Sequence, residues 1–146
     1  MLITKIHVEQ FSNLSNVTLT FDEQPFHLLC GPNETGKSGL HDFLIACFYG
    51  PGNQNKQNIA ASLRTLRMPW GQNSMAGYLE FRHNDRPYRY TVSFGTARRH
   101  DEYHLVDLET FEEIDLGGKM LGEYLFDIPQ TVFEQTACIR QMNVAF

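Results

Sequence analysis

The sequence predicts an α/β fold with parallel core strands and an antiparallel β side sheet. Three observations carry this. Residues 26–30 form an apolar run that enters a glycine-bearing loop. A helical pattern follows that loop at once, giving the strand–loop–helix order of parallel sheets. Residues 75–81 and 87–94 alternate around the polar turn His83-Asn-Asp-Arg86, which predicts an antiparallel hairpin.

The elements follow in chain order. Residues 2–9 and 17–21 alternate apolar and polar, and with residues 26–30 they predict three strands. The links at residues 12–16 and 22–25 are rich in Ser, Asn, Asp and Pro, which suits hairpin-like connections. From Lys37 on, Leu40, Phe43, Leu44, Cys47 and Phe48 recur at three- and four-residue spacing until Gly50-Pro51-Gly52. That is one amphipathic helix whose stripe packs into a core. Residues 52–74 are polar and predict a mobile surface excursion, with a short helix near residues 59–66 and a break at Pro69-Trp70-Gly71. A further strand pair is expected at residues 103–107 and 111–114, and a helix at 119–126. Pro129 opens another helical turn, and residues 137–141 return to strand.

At 146 residues the chain fits one domain and is short for a complete two-lobed nucleotide-hydrolysing machine. No stretch reaches the roughly 20 apolar residues of a membrane span, and the start Met-Leu-Ile-Thr-Lys-Ile lacks secretory features, so a cytoplasmic protein with no membrane partner is expected. Cys30, Cys47 and Cys138 are widely spaced and predict reduced, buried thiols. A net charge of −5 argues against coating nucleic acid by bulk electrostatics, so any DNA contact must be local.

Chemistry concentrates in Gly31, Pro32, Asn33, Glu34, Thr35, Gly36, Lys37 and Ser38, the spacing Gly-x-x-x-x-Gly-Lys-Ser. Gly31 and Gly36 let successive N–H groups turn inward on phosphates. Lys37 supplies a cation for the β- and γ-phosphates, and Ser38 a hydroxyl for magnesium. Gly39 adds a backbone N–H where the helix presents its positive end. The loop therefore predicts binding of a nucleoside triphosphate, ATP with magnesium being the expected pair. Hydrolysis needs in addition a carboxylate on magnesium and a group that orients water. Only Asp107 and Asp127 are faint candidates, each against an ordinary surface or capping Asp. The catalytic carboxylate is expected outside this chain.

These features resemble the amino-terminal half of an ABC-type ATPase head of the SMC and SbcC group, coiled-coil ATPases of chromosome maintenance and DNA repair. The resemblance rests on the opening Met1-Leu-Ile-Thr-Lys-Ile-His-Val-Glu-Gln-Phe-Ser-Asn-Leu14, the loop at residues 31–38 and Phe48-Tyr49-Gly50. It rests also on the hairpin at 82–94 and on Phe133-Glu-Gln-Thr-Ala-Cys-Ile-Arg-Gln141. Within the group it looks closest to YhaN-like proteins. The resemblance implies that Lys37 and Gln141 act in catalysis, that Gln141 joins Ser38 on magnesium and helps position the attacking water, and that Asn33 lies near the γ-phosphate. It implies partners as well: a C-terminal lobe of the same protein beyond a coiled coil, a second head in an ATP-dependent dimer, DNA, and for SbcC-like members an SbcD-like metal-dependent nuclease. Residues 1–146 are then the N-terminal lobe, either a piece of a longer chain or a natural half. Two departures stand out. Ser12-Asn13 replaces the Arg that repair-type relatives often carry, and Gly39 replaces a Thr or Ser, losing a hydroxyl toward the α-phosphate.

Other readings remain. A small-molecule kinase would show more strand–helix repeats, a transporter nucleotide-binding subunit would carry an upstream aromatic and a membrane partner, and a nucleotide-sensing interaction module needs no catalytic carboxylate. The six histidines His7, His27, His41, His83, His100 and His104 show no zinc spacing and are expected to be ordinary. Arg98-Arg99-His100 and the set Lys56, Arg64 and Arg67 could touch a DNA backbone, although solvent-exposed charge is the favoured reading.

Overall fold

The computed structural model describes residues 1–52 and 62–138. Its strands are β1 (Leu2–Phe11), β2 (Leu14–Thr20), β3 (Met75–His83), β4 (Arg86–Phe94), β5 (Glu102–Asp107) and β6 (Glu113–Ile114). Its helices are α1 (Lys37–Tyr49), α2 (Leu63–Arg67), α3 (Leu121–Phe126) and α4 (Gln130–Thr136). The strands form one sheet in the order β2-β1-β3-β4-β5-β6, and every neighbouring pair is antiparallel.

This overturns the predicted α/β fold with parallel core strands. The physical reason lies in the connections. Ser12 and Asn13 alone join β1 to β2, and Asn84 and Asp85, both left-handed at φ 49° and 62°, join β3 to β4. Two-residue links permit only antiparallel pairing. The predicted third strand at residues 26–30 is not a strand: the segment is irregular, and Phe26 and Leu28 are 76% and 74% exposed. The link at residues 22–25 is therefore not a hairpin. Ala137 and Cys138 lie in a turn and an irregular segment; the rest of the strand expected at 137–141 lies outside the described residues, as does the start of the helix expected near 59–66.

Side chains alternate across the sheet as a half-buried antiparallel sheet requires. On the inner face Val8, Phe11, Leu79, Phe81, Tyr90, Val92, Phe94 and Leu105 are buried. On the outer face Lys5, Glu80 and Arg89 form a cross-strand charge ladder, and Arg89 lies 4.8 Å over the Tyr78 ring, which stacks on His7. Helix α1 packs on the inner face, with Phe43 edge-on to Phe11 at 5.4 Å. Gly77 makes this approach possible, because a Cβ there would stand 2.7 Å from the Phe43 ring and closer still to His7 O. The far end of α1 is clasped by α3 and α4 through Phe48, Phe126 and Phe133, while the Tyr49 hydroxyl donates to Ile128 O at 3.0 Å.

Residues 62–74 are not the loose excursion expected. Arg64 is buried, donating from Nη1 and Nη2 to the two carboxylate oxygens of Asp101 at 2.7 and 2.6 Å and from Nη1 to Gly95 O at 2.6 Å. Arg67 pairs with Asp42 of α1. Neither arginine is the exposed charge that the sequence suggested, and Lys56 of the same set lies outside the described residues. Of the thiols Cys47 is buried, and burial pushes its pKa up, but Cys30 is exposed, contrary to expectation.

Candidate phosphate-binding site

Helix α1 begins at Lys37, and its N-cap is Gly36, in the left-handed region at φ 95°. The first α-helical bond runs from Leu40 N to Gly36 O at 2.8 Å. The N–H groups of Lys37, Ser38 and Gly39 thus have no acceptor within the helix, the glycine cap has no side chain to offer, and the first turn holds no acidic residue. Such a helix end carries partial positive charge that an anion satisfies.

The loop before it is folded on itself. Thr35 Oγ1 donates to Pro32 O at 2.8 Å. The Lys37 ammonium reaches back across the loop to Gly31 O and, at 2.7 Å, to Pro32 O. An ammonium bonded to neutral carbonyls can exchange them for charged phosphate oxygens, the stronger class of pairing. At Gly31 space is tight: a Cβ there would meet Thr35 Oγ1 at 2.9 Å, and that hydroxyl would have to turn away from Pro32 O. Gly36 is required twice, by its φ and by Leu14, whose Cδ2 fills the space a Cβ would need. Glu34 also sits in the left-handed region, at φ 68°, so the curl of the loop is held with some backbone strain.

The β1–β2 turn holds the loop from one side. Asn13 Nδ2 donates to Glu34 O at 3.0 Å, and Leu14 packs on Gly36. The same turn is held from its other side: Ser12 N donates to Arg67 O at 2.7 Å, and Arg67 bridges Ser12 Oγ and Asp42. Ser12-Asn13 stands where repair-type relatives often carry an Arg, which puts direct phosphate contact from this turn in doubt. In the structure the turn is a brace between the loop and the end of α2. The turn-forming residues at 12–16 were the available signal, but Arg67 gave none.

Residues 1–85 match the AAA domain family, a stretch that contains this loop, its brace and the helix behind it. The chain belongs to the AAA domain family. No curated protein matches the chain. Membership gives the chain a nucleotide-binding, ATPase-type character.

Other sequence candidates fall outside the loop and beyond the stretch that matches the family. Gln141 lies outside the described residues. Asp107 ends β5, where its Oδ1 accepts Glu109 N at 2.8 Å and its Oδ2 pairs with Arg86 at 2.7 Å. Asp127 is the left-handed C-cap of α3. Both are turn and capping residues. Among the described residues no group of three or more His, Cys, Asp or Glu could hold a metal ion, and no helix is long and apolar enough to cross a membrane. The glycine cradle and the free helix N–H groups fit a phosphate chain, and magnesium there would draw on the exposed Ser38 hydroxyl and on phosphate oxygens.

Proposed function

We propose that this AAA domain binds ATP with magnesium through residues 31–39. Hydrolysis would follow when a C-terminal lobe of the same protein and a second head complete the site. One observation carries the reading: the Lys37 ammonium lies across a glycine loop whose helix offers uncapped N–H groups. Gly31, Gly36 and the backbone from Pro32 to Gly39 would cradle the phosphates, with Asn33 near the γ-phosphate. Ser38 and Gln141 would hold magnesium, which would supply neutralisation of the charge on the phosphates. Gln141 would also orient the attacking water. The resemblance to SbcC-like heads supports DNA repair or chromosome maintenance as the work this cycle drives, with DNA and an SbcD-like nuclease as partners.

A second reading, a nucleotide-sensing interaction module, is favoured by the engagement of Asp107 and Asp127 in turn and cap bonds. Calorimetric titration with magnesium ATP, together with turnover assays on the chain alone and with the C-terminal lobe added, separates the two. Binding that Lys37→Ala abolishes, with turnover only on addition, supports the split head; binding without turnover in either mixture supports the sensor. Rapid turnover by the chain alone would sink both.

A further inference from the structure

Trp70 is the chain's only tryptophan, and its side chain is fully exposed. Large aromatics ordinarily bury most of their surface, so an indole left in water by a well-formed segment needs a reason. The segment is well formed. Gln72 N donates to Pro69 O at 3.1 Å across a turn whose third residue, Gly71, takes φ 73°. This is the turn type that favours glycine there, and its second residue, Trp70, stands in solvent.

The turn is anchored at both ends to the tip of β1. Ser12 N donates to Arg67 O at 2.7 Å on one side, and Gln10 Nε2 donates to Ser74 Oγ at 2.8 Å on the other. The next residues, Asn13 and Leu14, hold Glu34 and Gly36 of the phosphate loop. Residues 10–14 therefore carry the phosphate loop on one flank and the Trp70 turn on the other. Trp70 is three residues from Arg67, at most about 10 Å of chain. A triphosphate seated in the loop places its base beyond the ribose, outside the loop itself.

We infer that Trp70 is the platform on which the nucleobase of the bound triphosphate stacks. This rests on the nucleotide reading of residues 31–39 and extends it to the base. The turn that carries the indole is hydrogen-bonded and tied to β1, so stacking has only the indole's own rotamer to order. Exposed Gln72 and Asn73 follow it, and their amides can donate to and accept from a base edge. Stacking on an aromatic face tolerates any base, so the contact adds affinity for a nucleoside without choosing adenine over guanine.

The test uses the whole chain and two probes, magnesium ATP and magnesium tripolyphosphate, with affinities from calorimetry and emission from the single tryptophan. The expected result is saturable quenching by ATP but not by tripolyphosphate. Trp70→Ala should weaken ATP by about tenfold and leave tripolyphosphate unchanged, with Trp70→Phe recovering most of the loss. ATP binding to Trp70→Ala with wild-type affinity would overturn the inference while leaving the phosphate site standing. Failure of both probes to bind the wild-type chain would overturn the phosphate site and the inference together. Because Trp70 touches no core, a circular dichroism melt should be the same for all three proteins.

Discussion

Arg67 donates from Nε and Nη2 to one oxygen of Asp42, at 2.9 and 2.7 Å, so the residue that ends α2 is fixed to the second turn of α1. Its Nη1 reaches Ser12 Oγ at 3.4 Å, which joins the β1–β2 turn to the same arrangement. Arg67→Ala leaves a mostly buried carboxylate without its guanidinium, and the expected cost is about 2–3 kcal/mol, Arg67 being itself partly exposed. Urea unfolding measures it. Arg67→Lys should recover less than half, because an ammonium cannot reproduce a planar fork.

Arg64 and Asp101 are more deeply buried, with side-chain exposures of 3% and 1%. Asp101 also accepts from Gly95 N and the Tyr103 hydroxyl, whose pKa is driven up by burial and by that carboxylate. Removing one partner strands the other, so Arg64→Ala should destabilise by about 3–5 kcal/mol. In a double-mutant cycle with Asp101→Asn the two losses should sum to clearly more than the double variant shows. Additive losses would mean the pair does not act as a unit.

These two arginines show where the sequence was silent. Period and turn chemistry made the Met75–Phe94 hairpin and α1 legible, because alternation and three-to-four spacing are local properties. The loop at residues 31–38 was legible for the same reason, each position answering to a local backbone need. Arg64 and Asp101 are 37 residues apart, and nothing in either neighbourhood marks a charge that will be buried. The parallel core failed differently. An apolar run such as residues 26–30 says that a segment prefers burial, but a strand exists only with a partner edge, and no local pattern reports whether one is present.

Gly36 and Gly39 face the same turn with opposite tolerance. A Cβ at Gly36 would collide with Leu14 and would sit at φ 95°, whereas one at Gly39 would meet Ser12, Asn13 and Leu14 at 3.6–3.7 Å, ordinary contact. Gly39→Ser should therefore fold, gaining about 0.5 kcal/mol of helix propensity, and should tighten triphosphate binding through the added hydroxyl. Gly36→Ala should lose both stability and binding. Thermal melts and calorimetry on the two variants decide the contrast, and equal behaviour would contradict it.

Glu80 supplies a pH dependence. Burial alone would raise its carboxyl, but the Arg89 hydrogen bond and the charges of Lys5 and Arg89 outweigh it, leaving the pKa below its ordinary value. In that window the unfolded chain binds more protons than the folded one, so stability rises with pH. The contribution is complete above the unfolded carboxyl's pKa and is lost as pH falls through the lowered folded value. Glu80→Gln should flatten this acid limb of a plot of melting temperature against pH, with no change in slope near neutrality.

Phe26, Leu28 and Leu29 are exposed beside the phosphate loop at 76%, 74% and 47%. Apolar area left in water costs nothing to the folded chain relative to the unfolded one, since both expose it. Replacing it should then leave stability unchanged within about 0.5 kcal/mol. What it changes is association: covering such a run is worth roughly 25 cal/mol per Å² to whatever covers it. The double variant Phe26→Ser, Leu28→Ser should melt at the same temperature as the wild-type chain, yet sediment with less concentration-dependent self-association. If the proposed C-terminal lobe is what rests on this run, the double variant should also lose binding to that lobe in the same centrifuge experiment. A drop of several degrees in melting temperature would instead mean that these side chains already pack within the domain.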